Sequence, residues 1–479
     1  MVQTPIKTLL GIQSILFLLI VAATLFYFQT GTQPDSLIGF ACLTTLVLFI
    51  WSILSWRLLS KSFFDPYILF LIALALFSSG QTILEVFHLN QDGLLKDKFT
   101  SDLLLSTLIL ILLSVSAFHF GALFSLATRK SDPPETPSET INSQAIRWVG
   151  WGLLGISCFP AIYVFKAAID TVAAAGYFAL YQQDASTGLN ATPQILAAFL
   201  VPAALFLLAS SKRKRIDIVS SLLIILSYTA IQLFLGARSK AVMPLIAYCW
   251  LWHWYIRPLP KTLLFSAASF MLFLVFPLIR VVRAVSGSER ISLEFLVESF
   301  FSIDNPIVSI LTELGETMST IAYTIELVPA QRSFDNGASY LYALLTALPN
   351  IFGGELHPTL VRGFAATWLT ETINPTQAKL GGSLGFSMIA EAYLNFGWLG
   401  SPILMGIMGF LFVRFIVWGG KPWEPAKMAT LASFLSFVLF FPRSESAAMI
   451  RPLIWYAALP FGIVSFLSLR YPRSSRVST

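Results

Sequence analysis

The sequence predicts an all-α polytopic membrane protein of about twelve transmembrane helices. Three observations predict it. Hydrophobic residues make up 56% of the 479 positions. Charged residues make up only 12%, where a soluble domain carries about 25%. Mean hydropathy is +0.75, and the apolar residues fall in runs long enough to span, at about 20 residues each. Helices are the expected element, because lipid offers no partner for an unpaired backbone N–H or C=O and a helix pairs its own. This composition excludes a soluble enzyme, a nucleic-acid binder and a disordered chain. The net charge of +6 resides largely in short basic tracts beside apolar segments.

The spans are expected near 9–28, 37–56, 66–84, 103–127, 148–165, 194–210, 216–235, 241–256, 262–282, 398–418, 428–442 and 452–469. The first, Leu9 to Phe28, lacks a small-residue cleavage site and reads as a helix and not a removed signal. Orientation follows from Lys and Arg placement. With the N-terminus inside, inner segments hold 18 of the 31 basic residues and outer segments 13. Six of those 13 (Arg280, Arg283, Arg290, Arg332, Arg362 and Lys379) belong to one long outer segment or its start, leaving 7 in short outer loops. Long loops translocate largely regardless of charge, so both termini are expected to be cytoplasmic. Two further apolar stretches, 307–328 and 384–397, carry Glu313, Glu316, Glu326 and Glu391 and are left outside the count, since a mid-bilayer charge is costly.

The domain reading has three parts: helices over 1–282, an outer cap over 283–383, and a C-terminal helical part over 384–479. A loop of roughly 100 residues is unusual and usually functional. Residues 131–140, SDPPETPSET, read as an inner linker, and SKRKR at 211–215 as a basic inner-leaflet anchor. Cys42, Cys158 and Cys249 sit in apolar runs, and no HExxH, Walker or GxGxxG pattern occurs, so no disulfide, metal or cofactor site is expected.

Chemistry is expected on the outer side. Arg280 and Arg283 end the ninth span, and Arg290 follows. An arginine in an apolar run needs an anionic partner, and its fork matches phosphate oxygens. The functional reading is a phosphate-bearing lipid; the bland one is headgroup snorkelling. Arg238, in a Gly-Ala-Arg turn, is a second cationic point. Arg443 and Arg451 flank Glu445 and read as a structural ion pair. Glu313, Glu316, Thr317, Thr320 and Thr324 share one face of a helix over 307–328. Glu313 is the first candidate for a general base there, with Glu316, His357 and Glu391 behind it. Gly381-Gly382 offers backbone N–H groups for an anion or sugar oxygen, and Trp368, Tyr393 and Trp398 offer ring faces, with Asn395 beside them.

Residues 380–400, LGGSLGFSMIAEAYLNFGWLG, resemble the C-terminal signature of Wzy-type oligosaccharide repeat-unit polymerases. Gly236-Ala237-Arg238, Glu313-Leu314-Gly315-Glu316-Thr317, and Ser339-Tyr340 running to Pro349-Asn350 agree in order, so the resemblance covers roughly 230–400. It implies a GT-C-like membrane glycosyltransferase in the bacterial inner membrane, with its active site on the periplasmic face. The enzyme would join repeat units carried on undecaprenyl pyrophosphate, beside a flippase and a chain-length regulator. The implied leaving group needs a cationic clamp and the acceptor hydroxyl needs a base; the arginines and carboxylates supply candidates for both. Two readings compete: an O-antigen ligase of similar architecture, and a flippase or transporter. The second predicts ionisable residues mid-membrane in several helices, and the spans hold few.

Overall fold

A computed structural model describes residues 3–31, 33–90, 93–129, 143–182, 188–210, 214–283, 293–303, 305–348 and 362–470. Every regular element among them is a helix. The 131–140 linker, residues 211–213 of the basic anchor, Arg290, Pro349-Asn350 and His357 lie outside the described residues.

Eleven helices among the described residues are long and apolar enough to cross a membrane: Pro5–Thr30, Asp35–Ser60, Pro66–Val86, Ser101–Ala127, Ser143–Ala175, Thr192–Ser210, Arg215–Leu235, Lys261–Val282, Met388–Gly419, Pro425–Arg443 and Ala447–Arg470. Each matches an expected span. The twelfth, expected at 241–256, is present as Arg238–Leu251 continued by a π-helical turn over Trp252–Ile256. Arg238, Ser239, Lys240 and the Trp-His-Trp-Tyr run keep its composition below that of the others. Arg238, at its start, and Arg283, just past the end of the next span, reach the same carboxylate, so the chain between them travels away and returns.

Ser101–Ala127 is the central post, buried along most of its length. It crosses Met388–Gly419 at very short range. A Cβ on Gly121 would lie 1.9 Å from the Gly406 carbonyl oxygen, and one on Gly409 would lie 2.0 Å from that of Phe118. Small residues at a crossing let backbones approach where lipid gives no hydrophobic drive between helices. Outward-facing side chains such as Phe159 and Leu399 are exposed and apolar, as a lipid-facing surface requires. Some polar groups inside pair with one another: the His119 ring lies 2.9 Å from Ser55 Oγ and 3.0 Å from the Tyr67 hydroxyl.

The structure corrects two sequence expectations. Residues 307–328 form not one helix but two, Pro306–Gly315 and Thr317–Leu327. The first crosses Pro66–Val86 so closely that a Cβ on Gly315 would meet the Gln81 backbone nitrogen at 2.5 Å. The second is different: 384–397 is not separate from the following span. Its helix runs on as Met388–Gly419, broken once at Gly397, where φ is 59° and ψ is −155°, a backbone region open essentially to glycine alone. The carbonyls released by the break are taken up. Asp335 N–H donates to Leu394 O at 2.9 Å and Asn336 N–H to Asn395 O at 3.1 Å.

Candidate active site

Three segments distant in sequence bring arginines to Glu313. Leu235 ends its helix at Gly236, in a left-handed cap with φ 87°. That turn sets Arg238 at the start of the next helix, where it is buried. Its guanidinium grips Glu313 with two nitrogens: Nη1 donates to Oε2 at 3.0 Å, and Nη2 pairs with Oε1. Nη1 also donates to Phe276 O at 3.1 Å. Arg283 donates through Nε to Gly236 O at 2.8 Å and brings Nη1 to 3.9 Å from Glu313 Oε1. Arg443 donates to the backbone carbonyl of Glu313 at 3.2 Å. Arg280 holds Ser309 Oγ at 2.8 Å on the same helix as Glu313.

The charge balance is uneven. Arg280, Arg283 and Arg443 all repel Arg238 electrostatically. Four guanidinium groups therefore gather around one paired carboxylate, and 4 − 1 leaves an excess of three positive charges. Glu316 also acts electrostatically on Arg443, but it brings its own cation, Lys98, paired at 2.9 Å, so the excess is unchanged. An aromatic wall completes the site. The Arg283 guanidinium lies 4.5 Å above the Tyr177 ring, and the Tyr177 and Tyr181 hydroxyls are 3.0 Å apart. The arrangement is a partly open cationic nest whose forks match the geometry of an anion with several oxygens.

A second polar cluster lies at the same end of the bundle. Glu391 is fully buried. Its Oε1 accepts from Ser339 Oγ at 2.8 Å and Ser446 Oγ at 2.6 Å, and its Oε2 accepts from Ser446 N–H at 2.7 Å. Asn395 donates to Ser339 Oγ and to Glu391 O, and accepts from Gly337 N–H at 2.9 Å. Tyr393 is buried between Phe334 and Trp398, with its hydroxyl turned to Val328 O. Arg332 and Arg362 both pair with Asp335, and Arg332 stacks 4.5 Å over Trp368.

Of the expected site residues, the structure brings Arg238, Arg280, Arg283 and Glu313 together. Glu316 leans on Lys98, off the same helical turn. Glu391, Tyr393 and Asn395 sit apart from them, buried, with their polar atoms spent on this chain. The Gly381-Gly382 turn does not present free N–H groups: they donate to Ala378 O at 3.0 Å and Gln377 O at 2.9 Å. Gly381, with φ 75°, instead lets the chain pass the Tyr181 carbonyl, which a Cβ would meet at 2.5 Å. Arg443 does not pair with Glu445 as expected. Glu445 accepts the Ala365 and Ala366 N–H groups at 2.9 and 3.1 Å, capping the helix Ala365–Ile373, while burial raises its pKa. Arg443 and Tyr177 are the site residues that spacing did not reveal. Only the placement of Arg443 at the end of a span hinted at its role. Among the described residues, no group of three or more His, Cys, Asp or Glu could hold a metal ion.

The family model for O-antigen polysaccharide polymerase Wzy matches residues 10–473, nearly the whole chain. No curated protein and no solved structure matches it.

Proposed function

The chain belongs to the O-antigen polysaccharide polymerase Wzy family, and from that premise we propose that it extends glycan chains by transferring them off a lipid pyrophosphate at the cluster around Glu313. Undecaprenyl pyrophosphate is the carrier, the outer leaflet of the bacterial inner membrane is the place, and the basic asymmetry of the loops supports cytoplasmic termini. A flippase would deliver the units and a chain-length regulator would limit the product. The observation that carries the reading is the convergence of Arg238, Arg283 and Arg443 from three segments on one residue, the first two on the Glu313 carboxylate and the third on its backbone carbonyl.

The leaving group is a lipid pyrophosphate, and its charge grows as the anomeric C–O bond breaks. Preorganised cations placed where that charge develops stabilise the transition state. Here Glu313 occupies the guanidinium fork of Arg238 at rest. An incoming pyrophosphate, with more oxygens and more charge, takes over Arg238 and Arg283. The displaced Glu313 is then free beside the reacting centre and accepts the proton of the acceptor hydroxyl as its oxygen attacks the anomeric carbon. General-base help of this kind is worth ~10²–10⁴-fold. Glu391 acts by position: it ties the signature helix to the segments carrying Ser339 and Ser446.

The test is the glycan ladder of cells in which Arg283→Ala or Arg443→Ala replaces the wild-type chain at equal membrane levels. The reading expects collapse to a single repeat unit on the lipid A core. A full-length ladder from both variants removes the arginine cluster from the reaction, and loss of all surface glycan points to ligation.

A further inference from the structure

The turn joining Pro66–Val86 to Ser101–Ala127 holds a run of left-handed residues that are not glycine. Leu95, Lys96 and Asp97 have φ of 53°, 59° and 49°, and His88 has 55°. That conformation crowds Cβ against the carbonyl oxygen in L-residues. It persists where packing fixes it, and such residues concentrate at ligand clamps. Packing fixes it here: Leu94 and Leu95 are buried, and Lys98 is held to Glu316.

The turn forms one wall of a cleft of about 620 Å³, within the ~300–1,000 Å³ usual for small-ligand sites. Pro277, Arg280 and Val281 make the second wall, and Val308, Ser309 and Thr312 the third. Among the described residues the polar lining consists of amides, hydroxyls, an imidazole and two cations, with no carboxylate. Asn90 spends its amide N–H groups on Gln81 O at 3.3 Å and Glu85 Oε2 at 2.9 Å, which among the described residues leaves its Oδ1 to accept from a hydroxyl.

Position decides what such a cleft would take. Thr312 precedes Glu313, and Arg280 lies one helical turn before Arg283, so the cleft opens beside the arginine cluster. A pyrophosphate held by Arg238 and Arg283 would have its attached sugar next to Arg280. We propose that the cleft seats the saccharide attached to the lipid pyrophosphate, reading its hydroxyls through Asn90, Ser309 and Thr312. The assignment rests on the arginine cluster being the pyrophosphate site, and the two can fail separately.

The experiment measures binding to the purified full chain with two probes: the lipid-linked repeat unit, and the same polyprenyl pyrophosphate without sugar. Val308→Trp, which fills the cleft, is expected to weaken the saccharide-bearing lipid at least ~10-fold, and Asn90→Ala about 5-fold. Both should leave the bare lipid within about twofold, which also shows that the variants are folded. Equal loss for the two lipids, or no loss for either, overturns the cleft assignment. Arg238→Ala with Arg283→Ala should weaken both lipids. If it weakens neither while Val308→Trp still discriminates, the arginine reading fails and the saccharide cleft stands.

Discussion

Glu313 and Glu391 are two carboxylates at one end of the same helical bundle, and their surroundings differ in kind. Glu391 is buried and receives three neutral donors, Ser339 Oγ, Ser446 Oγ and Ser446 N–H. Glu313 keeps about a quarter of its side chain exposed and faces a surplus of arginine charge. Neutral donors that match a buried carboxylate one for one make a staple, because any loss leaves buried groups unpaired. Surplus cations at an open edge make a site whose occupant can be exchanged.

The largest expected effect falls on the staple. Glu391→Ala should unfold or severely destabilise the protein, because it leaves three buried donors without an acceptor, at about 1–3 kcal/mol each. Membrane yield and thermal unfolding of the detergent-solubilised chain would check this; a wild-type melting profile would make Glu391 something other than a staple. Next come the arginines. Arg283→Ala and Arg443→Ala should each lower single-turnover extension ~10²–10³-fold with normal yield. Arg283→Lys should recover only part of it, since an ammonium cannot reproduce the fork. A smaller effect, but a sharper one, concerns affinity. Glu313→Gln frees Arg238 and Arg283, so bare polyprenyl pyrophosphate should bind at least as tightly as to wild type. Weaker binding would mean that the carboxylate holds the arginines in place and does not compete with the ligand for them. The smallest belongs to Lys98→Ala. Its pair with Glu316 is half exposed, and such pairs contribute about 0–1 kcal/mol; a large loss of activity would move Glu316 into the reaction.

The two carboxylates were unequally legible. Hydropathy located eleven spans, because each crosses lipid on composition alone. It also located the helix from Arg238 to Ile256, whose polar start is the part that enters the site. Arg280, Arg283 and Glu313 could be singled out because charge at a membrane edge needs a partner. Which partner is a matter of tertiary contact. Arg443 looked closer to Glu445, two residues away, yet Glu445 turns to a helix N-terminus and Arg443 to the Glu313 carbonyl. The stripe from Glu313 to Thr324 assumed a continuous helix, and the break after Gly315 sends Glu313 and Glu316 to different cations. The signature around Glu391 was legible as a signature, but its packing role shows only when Ser339 and Ser446 arrive from distant segments.

Single-turnover extension of purified lipid-linked repeats by Glu313→Gln and Glu391→Gln, each rate divided by the folded fraction, tests the contrast most directly. The account predicts that Glu313→Gln is fully folded and at least ~100-fold slow. It predicts that Glu391→Gln yields little folded protein, because an amide N–H replaces one acceptor among three donors, and that the fraction that folds turns over near the wild-type rate. A folded but inactive Glu391→Gln beside an active Glu313→Gln would contradict the account and make Glu391 the base.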